Sequence, residues 1–204
     1  MEVGRRAACA AVLVVLLTGC SSGAEDKDAK ASASPSAAAK DSSVADSGRP
    51  LGGKGSDCEL PVTFDIAEEW TAESVEAPLD QGPVTLACEV DAKPAGNIGF
   101  LRAWTGEPGD GDARSVLEAF VAAQGGVNEE KYGSFTTGGL TGAEVTYVYS
   151  NELLEESKQE SALAVTTPLG PVVLHLGGLD TEEHKAMLPA LELAKKTLRS
   201  GRAE

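Results

Sequence analysis

His175 and His184 are the only imidazoles in a chain of 204 residues. Acid–base or nucleophilic chemistry near neutral pH would have to be built around one of them. A serine nucleophile needs an organised turn, and no G-x-S-x-G stands in the sequence. His175 lies in the apolar run Val172-Val173-Leu174-His175-Leu176, which reads as a core or edge histidine held by a hydrogen bond. His184 falls in the first turn of an expected helix. Adjacent carboxylates, Glu129-Glu130 and Glu155-Glu156, diverge on any regular element, cannot flank one substrate and read as solvated charge. Glu107, Asp110 and Asp112 gather hard oxygen ligands, yet they fail the calcium-loop pattern in ligand count and glycine placement. Gly48 to Lys54 matches the start of a phosphate-binding loop, but Gly55 stands where Ser or Thr is required. The expectation is therefore no catalytic residue, no metal and no cofactor.

The cysteines are more informative. Arg5-Arg6, the apolar run Ala7 to Leu17 and the small residues after it are the three parts of an export signal. The run is too short to span a bilayer. Leu17-Thr18-Gly19-Cys20 has the order of a bacterial lipobox, in which the thiol is alkylated with diacylglycerol and the chain is cut before the cysteine. The paired arginines lack the rest of a twin-arginine signal, so general secretion is expected. Residues 1–19 are then a signal peptide, and Cys20 holds the chain on the extracytoplasmic face of the membrane. Acyl chains contributing about 0.8 kcal/mol per CH₂ make that anchor firm. With Cys9 removed and Cys20 consumed, Cys58 and Cys88 remain and admit a single pairing. Closing a loop of about 31 residues would contribute roughly 3 to 4 kcal/mol.

Residues 20–56 are mostly Ala, Ser, Gly, Pro, Lys and Asp, a composition that cannot offset the entropy of ordering. They read as a disordered tether spanning about 30 to 36 Å. Residues 57–200 read as one domain.

Within that domain, Leu60, Val62, Phe64 and Ile66 alternate as a half-buried strand, and Val84 to Val90 makes a second. A third is expected around Ile98, Phe100 and Ala103 or Trp104. Asp112 caps a helix from Ala113 to Gln124, with Val116, Leu117, Phe120 and Val121 inward and Gly125-Gly126 ending it. Leu140 to Ser150, Gln159 to Thr167 and Pro171 to Leu179 follow as strands whose short links imply antiparallel neighbours. Asp180 or Thr181 caps a last helix reaching Leu198, with Met187, Leu191, Ala194 and Leu198 inward and Pro189 expected to kink it or to mark a short preceding turn. The fold class is α+β: an antiparallel sheet of about six strands with two main helices.

This layout, together with Gly96-Asn97-Ile98-Gly99-Phe100-Leu101 and His175-Leu176-Gly177-Gly178-Leu179-Asp180, resembles actinobacterial, Streptomyces-type secreted lipoproteins of the Mog1/PsbP-like group. The resemblance covers about residues 58 to 199. It implies a three-layer sandwich and a binding or assembly role, and transfers no active residues.

A formal charge of −15 repels nucleic acid and anionic headgroups, so neither is an expected partner; the membrane is reached through Cys20. The leading expectation is a non-catalytic envelope module that engages an envelope protein or cell-wall partner. Trp70, Trp104, Tyr132, Tyr147 and Tyr149 are the aromatics that would serve core or interface. The first alternative is a carrier of a lipid or other apolar ligand, marked by a continuous apolar cavity. The second is an enzyme with an unrecognised site, marked by a cleft that joins His175 to a carboxylate.

Overall fold

A computed structural model of the chain describes residues 43–151 and 156–201. The expected signal peptide, Cys20, the tether up to residue 42 and Glu155 lie outside the described residues. The first half runs β1 (Ser47–Leu51), β2 (Val62–Ala67), β3 (Thr71–Ser74), β4 (Asp80–Gln81), β5 (Val84–Asp91) and β6 (Gly99–Thr105). The second half runs α1 (Ala113–Gln124), β7 (Val127–Thr137), β8 (Leu140–Asn151), β9 (Glu156–Thr167), β10 (Gly170–Gly178), α2 (Thr181–Thr197) and β11 (Arg199–Ser200).

The large sheet has the order β3-β5-β6-β10-β9-β8-β7, with β4 also paired to β5, and its pairings are antiparallel. Eight strands replace the expected six: the expected strand β2 leaves for a separate small sheet, and the short strands β3 and β4 and the long edge strand β7, which had no legible pattern, join. In β7 a bulge between Asn128 and Lys131, with Glu129 at φ 56°, breaks the alternation, and most side chains face water. β6 begins one residue later than expected. Leu101 and Ala103 fill the core, whereas Ile98 precedes the strand and is 64% exposed.

Each sheet face carries its own core. On one, α1 lays Val116, Leu117, Phe120 and Val121 over Leu86, Trp104, Val145, Ala162, Ala164 and Val173. Asp112 starts α1 by accepting from Ser115 N at 2.7 Å. On the other face, α2 and a small sheet of order β1-β2-β11 cover Leu101, Leu163, Val165, Leu174 and Leu176. Asp180 caps α2, accepting from Glu182 N at 2.8 Å and Glu183 N at 2.9 Å. The helix runs unbroken through Pro189, and Ala45 N donates to the Pro189 carbonyl at 3.0 Å.

That contact corrects the expected tether. Its last part is folded: β1 pairs along β2, and Leu51 is fully buried among Val62, Phe64 and their neighbours. A lone Leu in a polar stretch carried no periodic signal, and the partner that buries it is itself an expected strand. The phosphate-loop lookalike Gly48 to Lys54 is thus strand and turn, closed by the Ser56 hydroxyl donating to Gly53 O at 2.7 Å. Cys58 and Cys88 are joined, with Cα atoms 6.0 Å apart, stapling the segment after β1 to β5.

Two stability measurements check this account by urea denaturation. Leu51→Ala is expected to cost about 2 to 5 kcal/mol, whereas a tether residue would cost almost nothing. The double variant Cys58→Ser, Cys88→Ser is expected to lose roughly 3 to 4 kcal/mol.

Candidate functional site

At 12 residues, α1 is about 18 Å long and does not reach across the sheet face on which it packs. Beyond its last residue, Gln124, the strands β6, β10, β9 and β8 continue, uncovered by any other described element. Register places Phe100 opposite Gly177, Arg102 opposite His175 and Tyr149 opposite Lys158, all on the α1 side. All but the buried His175 line an open cleft of about 760 Å³, together with Ile98, Leu179, Asp180 and Glu160.

The cleft floor is a buried polar cluster around Glu160, whose side chain is 4% exposed. Its Oε2 accepts from Gln124 Nε2 at 2.7 Å, from His175 Nε2 at 2.9 Å and from the Tyr147 hydroxyl at 3.1 Å. Its Oε1 pairs with Lys158 Nζ at 3.1 Å, and Lys158 also donates to Gly178 O at 2.8 Å. Burial pushes this carboxyl up, but the donors and charge of His175, Gln124 and Lys158 outweigh it and hold it well below its usual 4.5. An ionised carboxylate only accepts, so His175 Nε2 carries a proton. The Tyr147 hydroxyl lies 2.6 Å from Gln124 Oε1, and burial and the neighbouring Glu160 push its phenol far above 10. Two polar atoms of this face, His175 Nδ1 and Trp104 Nε1, are buried without a partner.

The second histidine lies on the opposite face. His184 Nε2 is 3.1 Å from the Ser161 hydroxyl beneath α2, and both side chains are buried. Its Nδ1 has no partner, so no acid orients the ring as a serine–histidine pair requires. Burial lowers its pKa to about 4.

The cleft rim is set by Glu183, whose Oε1 accepts from Ile98 N and whose Oε2 accepts from Leu179 N at 2.6 Å. One carboxylate thus holds the chain entering β6 beside the chain leaving β10. Ile98 and Leu179 stand out on that rim, each 64% exposed.

Against known proteins, the sequence matches a family described as uncharacterised lipoprotein over residues 27–198, most of its length. The chain belongs to this lipoprotein family. No curated protein matches it. The solution structure of cyanobacterial PsbP (CyanoP) from Synechocystis sp. PCC 6803 aligns with a TM-score of 0.53 at 12% identity. That alignment covers 76% of this chain and 92% of the other, and it shows the PsbP-like α+β fold. LpqN of Mycobacterium tuberculosis, described as involved in cell envelope biogenesis, aligns with a TM-score of 0.42 at 16% identity. There the coverage is 76% of this chain and 90% of LpqN, a likeness too loose to bear on the lipoprotein's fold.

Of the residues the sequence singled out in this lipoprotein, His175 is buried and joined to a carboxylate, but the carboxylate, not the imidazole, lines the cleft. Trp70, Trp104 and Tyr147 are core; Tyr149 alone among the five candidate aromatics lines the cleft, and Tyr132 is half-buried. Asp112 spends its carboxylate on the α1 cap. Sequence reasoning missed Glu160, Arg102, Lys158 and Gly177. Glu160 sits in Gln159 to Thr167 as the one carboxylate at an inward position of an expected strand, and that phase was the available signal.

The buried groups make stability fall with acid. Unfolded His184 takes a proton near 6.5 and the folded one only near 4; Glu160 stays charged in the fold below 4.5. In both cases the unfolded chain binds more protons, so stability drops as pH falls, first between 6.5 and 4 and further below 4.5. Urea midpoints measured across this range should fall accordingly. His184→Gln should remove the upper part of the slope, worth up to about 3 kcal/mol.

Proposed function

We propose that this lipoprotein is held by Cys20 on the extracytoplasmic face of the cell membrane. There its domain works as a non-catalytic binding or assembly module whose working surface is the cleft beyond α1. The lipobox order of Leu17 to Cys20 and the family support the anchor and an envelope location. The sequence resemblance supports an actinobacterial source.

The carrying observation is which polar groups are committed and which are turned outward. His175 Nε2 and three of the four contacts on Glu160 are spent on joining α1 to β8, β9 and β10. Among the described residues Arg102 bonds Glu89 through Nε, at 2.6 Å, which leaves its two Nη groups for another partner in the cleft. The histidine–carboxylate pair that would mark an enzyme therefore serves as a floor, and the groups facing the cleft are those of recognition. Apolar area on the rim adds to this, because exposed aliphatics beside unspent donors suit contact with a partner.

Palmitate labelling in the native host tests the anchor: the native chain should be labelled and membrane-bound, and Cys20→Ala unlabelled and released. A photo-crosslinking amino acid placed at Leu179 tests the surface against one at Leu169, an exposed position at the other end of β10. A discrete product from position 179 alone, lost in Gly177→Leu, is expected. The same product from both positions would refute the cleft as the working surface.

A further inference from the structure

We infer that the cleft beyond α1 binds a neutral, hydroxyl-rich saccharide, seated over Gly177 between the Phe100 and Tyr149 walls and hydrogen-bonded by Arg102 and Glu160. This rests on the reading of the cleft as a binding surface and names the chemistry of its ligand.

The seat is the hollow over Gly177. Its backbone conformation does not require glycine, and a Cβ there would meet only ordinary contacts. These are His175 Cε1 at 3.5 Å, Glu160 Oε1 at 3.7 Å and Arg102 Nη1 at 3.9 Å. Glycine here keeps space open. An atom occupying that space lies within reach of a guanidinium donor on one side and a carboxylate acceptor on the other.

Charge then selects the ligand class. Arg102 is neutralised by Glu89 at 2.6 Å and Lys158 by Glu160 at 3.1 Å, while Glu156 and Asp180 add negative charge at the rim. An anion would meet that rim on a chain of formal charge −15. A cation would find the charge of the floor carboxylate already met by Lys158 at Oε1 and its Oε2 taken by three donors. Hydroxyl groups both donate and accept, and so suit the Nη groups of Arg102 together with the remaining lone pair on Glu160 Oε1.

The walls suit the other face of a sugar. Phe100 on β6 and Tyr149 on β8 are three strand spacings apart, about 14 Å, so there is room between them for more than one ring. Arg102 lies over the Phe100 ring at 4.9 Å from its centroid, and Lys158 Nζ is 5.8 Å from that of Tyr149. Each wall therefore offers an apolar surface beside a donor, the pattern that fixes and orients a small ligand. Ile98 and Leu179 would continue the contact along a glycan, or take the first carbons of a lipid tail on a glycolipid headgroup.

Isoleucine methyl NMR on the full-length chain tests this directly. The chain has two isoleucines, Ile98 on the rim and Ile66 in the core. The probes are di-N-acetylchitobiose for a wall glycan, octyl glucoside below its micelle concentration for a glycolipid headgroup, and glucose 6-phosphate as the anionic control. Saturable shifts of Ile98 with a still Ile66 are expected from at least one neutral probe, weakened about tenfold or more in both Arg102→Gln and Gly177→Leu. Ile66 reports that each variant is folded. A stronger response to chitobiose assigns the ligand to wall glycan, and one to octyl glucoside alone assigns it to a glycolipid. Silence of Ile98 to both neutral probes, preference for glucose 6-phosphate, or an octyl glucoside shift indifferent to Arg102→Gln overturns the proposal. If position 179 still crosslinks while Ile98 stays silent, only the ligand class falls; if both fail, the binding surface falls with it.

Discussion

A carboxylate removed from water must be given donors, and Glu160 receives them from a helix and three strands at once. Gln124 ends α1, Tyr147 belongs to β8, Lys158 and Glu160 to β9, and His175 to β10. Breaking any one of these leaves a buried charge short of a partner, which costs far more than an exposed hydrogen bond contributes. The cluster thereby sets where α1 stops on the sheet. Trp104 packs against Phe120 edge-on at 5.3 Å and holds the middle of the same helix.

From that stopping point the cleft follows. A wide sheet needs both faces covered, and here the coverage is unequal. The α2 face is sealed by a helix, by the small sheet β1-β2-β11 and by the Cys58–Cys88 staple. Among the described residues the α1 face is sealed only as far as a 12-residue helix reaches. What lies beyond is still sheet, so its residues present a regular array whose spacing is that of strands. This is a rigid platform, and a rigid platform suits recognition, because little side-chain freedom is lost when a partner binds.

Glu183 shows how the same economy operates at the rim. It stands in the first turn of α2, where a negative charge suits the helix dipole, and its two oxygens take the backbone amides of Ile98 and Leu179. The side chain that begins the helix therefore also fixes the two exposed aliphatics at the mouth of the cleft.

Both helices were legible to within a residue in the sequence, because each announces itself by a cap and a 3.6-residue stripe. The strands β2, β5, β8, β9 and β10 were legible from alternation or from apolar runs, and the cysteine pair from elimination. These are properties of neighbours along the chain or of a count. Edge strand β7, with its bulge and its water-facing residues, and β1, with one buried leucine, were not legible, since their stability comes from partners remote in sequence. The site was hidden for the same reason. Arg102, Tyr147, Glu160 and Gly177 are unremarkable each in its own strand, and strand order alone brings them onto one face. Local physics determined the elements; the pairing of β6 with β10 and β9 with β8, together with the length of α1, decided that a cleft exists and what lines it.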